Sequence, residues 1–203
     1  MAVETWLAYC AMETVLCFTP GPAVLFVVST ALAGGSRAGI GAMCGVLVAN
    51  TLYFALSWTG VAAAIATSST VFATLKWAGA AYLTWVGLGM LFAAGDRPTE
   101  PSGAAPERAL ARGVVVQGSN PKALIFFLAL LPQFVDPTVR VGFQLLVLGI
   151  SGLVIELVVL SIYVTLAVRV RRVAGAGLAR PLERLGGGVL TALGLRMALA
   201  RSG

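Results

Sequence analysis

Three ionisable side chains stand inside stretches of sequence that are otherwise apolar: Glu13, Lys122 and Glu156. An ionised group at the centre of a membrane helix costs about 2.5 to 3.5 kcal/mol on insertion scales, so such groups face a protein interior or a water-filled path. Glu156 lies near the middle of its apolar run and is the hardest to place at an interface. The two carboxylates can accept an ammonium group or a proton, and Lys122 can hold an anion. The competing reading is structural: an ion pair, for instance Glu156 with Lys122, that only fastens helices together.

Two proline motifs lie close to these groups. Thr19-Pro20-Gly21-Pro22 falls where an apolar helix would otherwise continue. Each proline lacks a backbone donor and obstructs the carbonyl one turn earlier, so the helix should break there. Broken backbone is tolerated at membrane depth where protein buries it or where it lines a cavity. The second motif, Gly118-Ser119-Asn120-Pro121-Lys122, offers Asn120 as a helix cap and Pro121 for the first turn. A helix that starts there presents unpaired amides with positive partial charge, suited to a carboxylate, and Lys122 adds a full charge beside them. Proline kinks also serve packing alone. Asn50 is a further polar side chain in an apolar run, able to hydrogen-bond a substrate or, more commonly, a neighbouring helix.

Other chemistry finds little support. The chain has no His, and Cys10, Cys17 and Cys44 lie in apolar stretches without paired spacing, which reads as small buried residues rather than a metal or redox site. There is no phosphate-binding loop or catalytic triad. The sequence therefore implies neither an enzyme nor an ATP-driven pump, and no cofactor or metal.

The elements that position these residues are membrane spans. Of 203 residues 59% are hydrophobic and 11% charged, and the mean hydropathy is +0.93, against roughly 25% charged residues in soluble domains. Six apolar stretches are long enough or nearly long enough to cross a bilayer: about Thr5 to Ala33, Gly39 to Ala66, Val71 to Ala93, Gly113 to Val135, Val141 to Val168 and Leu185 to Ala200. The last is the shortest and carries Arg196, which can snorkel to the interface; a five-span count is the alternative. The first stretch is not read as a cleavable signal, because no Lys or Arg precedes it, Glu4 stands at its start, and it contains Glu13 and the Pro-Gly-Pro. Gly95 to Arg112, rich in Pro, Gly and charge, reads as an exposed linker.

The halves on either side of that linker resemble each other. Residues 79–91 align without gaps to residues 186–198, with six of thirteen positions identical. Ala23-Val-Leu-Phe26 matches Ala123-Leu-Ile-Phe126, and Leu47-Val-Ala-Asn50 matches Leu153-Val-Ile-Glu156, in the same order. A repeat of three spans must insert its second copy from the opposite side, giving the inverted repeat of secondary transporters. The expected fold is thus an all-α integral membrane protein, with six transmembrane helices as two inverted three-helix repeats. One transporter domain fills residues 1–203: repeat one about 1–94, linker about 95–112, repeat two about 113–203.

Orientation follows from the basic residues. One side of the six spans receives Arg37, Arg97, Arg108, Arg112, Arg169, Arg171, Arg172, Arg180 and Arg184; the other receives Lys76, Arg140, Arg196 and Arg201. The excess belongs in the cytoplasm, which puts both termini outside. The same bias accounts for the net charge of +6 through anionic lipid rather than nucleic acid.

At these residues the sequence resembles the lysine exporter (LysE/RhtB) family of bacterial amino-acid exporters. The resemblance covers nearly the whole chain and rests on Thr19-Pro-Gly-Pro22, Lys76-Trp-Ala-Gly-Ala-Ala-Tyr-Leu83, Asn120-Pro-Lys122 followed by Leu131-Pro-Gln-Phe134, and Arg180-Pro-Leu-Glu-Arg-Leu-Gly-Gly187. It implies a small carrier of the bacterial inner membrane that exports amino acids, with efflux coupled to the proton gradient. Pro20, Gly21, Pro22, Asn120, Pro121 and Lys122 occupy the family's signature positions. Family members often carry an acidic residue in the second span where this chain has Asn50, which leaves Glu13 and Glu156 as candidate proton or cation sites.

The expected mechanism is alternating access between the halves. The substrate carboxylate is held by free amides and Lys122, and Glu156, with Glu13 second, takes the substrate amine or the coupling proton. Two acids in the spans favour neutral over basic amino acids, although one acid suffices for a cationic side chain. The implied partners are an amino-acid substrate and membrane lipid, with self-association into a homo-oligomer left open. A passive channel or a non-transporting scaffold subunit are the rival readings, the former lacking any filter-like ring of charges or carbonyls.

Overall fold

A computed structural model of the chain describes residues 1–59, 105–136 and 138–199, together with Trp77, Ala81, Thr84, Trp85 and Leu88. Most of the expected third span, Lys76, and residues 95–104 of the expected linker lie outside the described residues, as does most of the 79–91 half of the internal match. All regular structure among the described residues is helical: α1 Val3–Phe18, α2 Pro22–Trp58, α3 Pro106–Gly118, α4 Pro121–Ile125 and α5 Val141–Leu199.

The first helix ends where the prolines require. Thr19 precedes Pro20 and is extended, with ψ 113, because the proline ring disfavours helical backbone before it. Gly21 then caps α2, with Pro22 in the first turn. The expected span Thr5 to Ala33 is therefore two helices, and the second continues into the expected second span.

Inside α2 the helix is interrupted at Gly35, with φ 77 and ψ −165, a conformation open to glycine and hardly to other residues. The chain folds back there. A Cβ on Gly39 would stand 2.7 Å from Cβ of Ala31 and 3.1 Å from Cγ1 of Val164, so the two arms of α2 touch each other and α5. The loop expected between spans one and two is thus a single non-helical residue.

Residues 106–112, read from the sequence as part of an exposed linker, are the first half of α3. Pro106 occupies the first turn, Glu107 adds an acidic residue there, and Ala109, Gly113, Val116 and Gln117 are buried, a spacing that forms one helical face. That side of α3 meets Gly41, Ala42 and Gly45 of α2. A Cβ on Gly41 would collide with the Pro106 carbonyl, one on Gly45 with the Leu110 carbonyl, and one on Gly113 with the Ala42 carbonyl. Small residues four apart thus let the two backbones touch, a close helix contact. Gly45→Val should force α2 and α3 apart at a cost of about 3 kcal/mol or more, measured as a fall in the unfolding temperature of the detergent-purified protein.

The chain continues from α4 through a π turn, Phe126–Leu130, and a 3-10 turn, Leu131–Phe134. Taken together, α3 and the segment Pro121–Phe134 are bent by 51°. Before α5, buried Gln144 accepts from the Asp136 amide at 3.0 Å and donates to the Asp136 carbonyl at 2.9 Å. The Asp136 carboxylate takes bonds from the Thr138 hydroxyl and amide, which hold it below the usual carboxylate range.

The polar stretch 169–184, expected as a loop between spans five and six, is also helical, and α5 runs through it with Pro181 inside. Alanine, leucine and arginine are good helix formers, and hydropathy registers their polarity but not their backbone preference. By length and composition, among the described residues Pro22–Trp58 and Val141–Val173 are long and apolar enough to cross a membrane, and Pro106–Gly118 with Pro121–Phe134, taken as one bent span, makes up to three. Ile150, Val154 and Val158 of α5 are more than half exposed, as lipid-facing positions are.

Two apolar clusters fill the interior. One gathers Val27, Ala31, Ala42, Val46, Val116 and Leu160. The other gathers Tyr9, Phe126, Phe127, Leu131, Leu145 and Leu148.

Candidate functional site

Between these clusters lies a cavity of about 60 Å³ with polar side chains set in a largely apolar wall, room for a few water molecules. Ala23, Val24 and Leu160 from the first cluster and Phe126 and Phe127 from the second form part of its wall. The breaks in the chain open onto it. Gly21 and the first residues of α2 line one part, and Asn120, Lys122 and Ala123 line another. The first regular bond of α2 is Leu25 N–H to the Gly21 carbonyl at 3.0 Å, so the Ala23 and Val24 amides precede the helical ladder, as the first amides of any helix do. In α4 the Asn120 side chain accepts from the Lys122 amide at 3.1 Å and the Asn120 carbonyl from the Leu124 amide at 3.0 Å, which leaves the Ala123 amide between them at the wall.

Of the nine residues the sequence singled out, Glu13, Gly21, Asn50, Asn120, Lys122 and Glu156 line the cavity. Pro20, Pro22 and Pro121 do not; they set the helix ends that do. Glu13 and Glu156 are buried, at 8% and 9% exposure. Glu13 accepts a weak bond from the Cys17 thiol one turn on, at 3.6 Å.

The Lys122 ammonium turns to backbone. It donates to the carbonyls of Leu16 and, at 2.9 Å, Thr19, closing the C-terminal end of α1, where a cation is favoured by the helix dipole. A lysine ammonium has three donors, and the described residues take two of them. Gly21 lies against its stem, with a Cβ there 3.6 Å from the Lys122 Cδ.

Asn50 meets Glu156 directly. Its Nδ2 donates to Glu156 Oε2 at 2.5 Å, so the two positions that correspond in the internal match touch. Asn50 also accepts from Gln117, Nε2 to Oδ1 at 2.7 Å, and Asn120 Nδ2 donates to Gln117 Oε1 at 2.8 Å. Gln117 lines the same cavity and joins these bonds, and its sequence position did not single it out. It is neutral and lies at the edge of a polar segment, and its only signal is its place three residues before Asn120, at the end of the helix that the break closes.

The carbonyls freed by the breaks are satisfied from other helices. Tyr163 of α5 donates to the Phe18 carbonyl at 2.9 Å, and Tyr53 of α2 donates to the Gly118 carbonyl at 2.7 Å. Each break is thus closed by a tyrosine from far along the chain.

Broken apolar helices around buried charges and paired amides define a class, that of helical membrane proteins with a polar interior site. The chain belongs to the LysE type translocator family, whose model matches residues 14–201. It is accordingly a transporter and not an enzyme. It is 32% identical over 204 residues to a homoserine/homoserine lactone efflux protein of Salmonella typhimurium, covering 99% of each chain. It is 33% identical over 137 residues to a leucine efflux protein of Klebsiella pneumoniae, covering 66% of this chain and 65% of the relative. An uncharacterised membrane protein of Vibrio cholerae is 32% identical over 208 residues, with both chains fully covered. No solved structure matches the chain.

Proposed function

We propose that this protein is a secondary transporter of the bacterial inner membrane that exports small neutral amino acids from the cytoplasm in exchange for protons. One observation carries the reading: a single cavity brings together two buried carboxylates, a lysine ammonium and the opening amides of two proline-started helices. A zwitterion has the complementary charges. Its carboxylate fits the remaining Lys122 donor and the amides of Ala23, Val24 and Ala123. Its ammonium fits Glu156 or Glu13, and the carboxylate left over carries the proton. Phe54, Phe126, Phe127 and Leu153 offer an apolar wall to the side chain, and the relatives named for homoserine and leucine efflux support a neutral cargo.

Six spans in two inverted halves, with both termini outside, remain the architecture that best accommodates this site. What supports it is reciprocity: Tyr53 of the first half closes the break of the second, and Tyr163 of the second closes that of the first. Filling the cavity with an amino acid requires the broken ends to part, which rocking of one half against the other supplies.

The test is counterflow in vesicles of purified protein. Internal unlabelled homoserine or leucine should drive transient accumulation of external label, and an imposed pH gradient should drive uphill movement. Flux without counterflow would sink the carrier reading in favour of a pore; no flux with any amino acid would favour a scaffold.

A further inference from the structure

Four hydrogen bonds run in one line from backbone to carboxylate. The Lys122 amide donates to Asn120 Oδ1, Asn120 Nδ2 to Gln117 Oε1, Gln117 Nε2 to Asn50 Oδ1, and Asn50 Nδ2 to Glu156 Oε2. The three amide side chains are 4%, 5% and 7% exposed in that order, so water is a poor substitute for any partner. The sense of the line is fixed at its origin, because a backbone N–H can only donate. Asn120 must turn its oxygen to Lys122 and its amino group to Gln117, and each amide then sets the next. The line arrives at Glu156 as a donor and requires an acceptor there. Glu156 Oε1 takes no hydrogen bond from the described residues, and Glu156 lines the cavity, so Oε1 is the oxygen open to a ligand or a proton.

We propose that Gln117 is a positioning residue that ties the protonation of Glu156 to the Asn120 cap of the second broken helix. This rests on the reading of Glu156 as the proton or ammonium site and adds how its state reaches the helix end that holds the substrate carboxylate. A protonated Glu156 fits the line only with its proton on Oε1. With the proton on Oε2 the Asn50 amide must turn over, Gln117 must follow, and Asn120 loses its place at the Lys122 amide. The titratable and charged groups facing Glu156 are Tyr9, Glu13 and Cys17 from α1 and Lys122 from α4. From α2 and α3 it meets the line itself, through Asn50 and Gln117.

Asn120→Asp separates this device from ordinary packing. An aspartate at 120 still accepts from the Lys122 amide but cannot donate to Gln117, so the line reverses: Gln117 donates to residue 120, Asn50 to Gln117, and Glu156 must donate to Asn50. Glu156 should then keep its proton to higher pH. The alkaline limb of a counterflow profile for labelled homoserine or leucine should move by about one pH unit or more, a tenfold change in rate at fixed pH on that limb. A new negative charge would move the profile the same way through space, and Gln117→Met tells the two apart. In N120D/Q117M the line is cut while the charge remains. The inference expects the double variant to follow the profile of Q117M alone; a shift of equal size with and without Gln117, or no shift in N120D, overturns it. Where N120D does not transport, the carboxylic-acid infrared band that disappears in E156Q reports the same protonation in detergent and is expected at higher pH in N120D. E156Q with a wild-type rate and pH profile would remove the underlying reading as well, whereas a flattened profile in E156Q beside an unmoved one in N120D removes only the role of Gln117.

Discussion

Glu156→Gln lowers gradient-driven export of labelled homoserine or leucine by about 100-fold, the expected worth of one charge-assisted contact of about 2 to 3 kcal/mol in a buried site. The substitution is close to isosteric and keeps an oxygen that can accept from Asn50 Nδ2, so the amide line survives and the protein unfolds near the wild-type temperature. Glu156→Ala removes that acceptor and leaves a buried amide without a partner, which costs about 1 to 3 kcal/mol of stability. Its loss of transport is then no longer specific. E156Q also divides the two tasks open to the carboxylate. If Glu156 carries the coupling proton, exchange of amino acid for amino acid persists in E156Q and loses its pH dependence, while uphill export stops. If Glu156 holds the substrate ammonium, exchange and uphill export fall together, and Glu13 is left as the proton carrier. Vesicles in which E156Q exports at the wild-type rate would show that the site is assigned wrongly.

Lys122→Met has the second large effect, and it is twofold. The ammonium closes the end of α1 through the Leu16 and Thr19 carbonyls, and a methionine leaves both without that donor. A hydrogen bond to a charged group is worth about 1.5 to 3 kcal/mol, so a loss of about 2 kcal/mol or more in stability is expected. The cavity also loses its cation while two carboxylates remain. The KM for the amino acid should rise by about tenfold or more, as for a lost charge-assisted bond to a carboxylate. Competition with an amine analogue that lacks the carboxylate isolates this second effect. The wild type should prefer the amino acid clearly, and K122M should discriminate far less. Unchanged discrimination would confine Lys122 to holding the break. Lys122→Arg is not expected to restore function, because a planar guanidinium on a longer stem does not reproduce a compact ammonium set between two carbonyls.

The aspects of this protein legible in its sequence are those that physics fixes locally. A proline has no amide hydrogen and disfavours helical backbone just before it, and both breaks lie where Pro20 and Pro121 put them, although Pro181 is carried inside α5. Asn120 caps its own helix because the bond spans two residues. A charge in an apolar run is costly in any fold, and Glu13, Lys122 and Glu156 accordingly meet in one cavity. Gly41 and Gly45, four residues apart on α2, are what a close helix contact needs, although they do not name its partner.

The remainder belonged to the tertiary structure. Residues 106–112 look like a linker by hydropathy. They are helical because the backbone at Pro106, Leu110 and Gly113 packs against Gly41 and Gly45, more than sixty residues earlier. The partner of Lys122 is a pair of backbone carbonyls, which have no identity in a sequence. Gln117 gains its role from Asn50, 67 residues away, and Asn50 reaches Glu156 across 106. Hydrogen bonds between distant amides leave no periodicity or composition behind, since any neutral polar residue at those positions would read alike. The sequence determined which groups are too costly to be idle; only the packing of α2, α3 and α5 decided which of them touch.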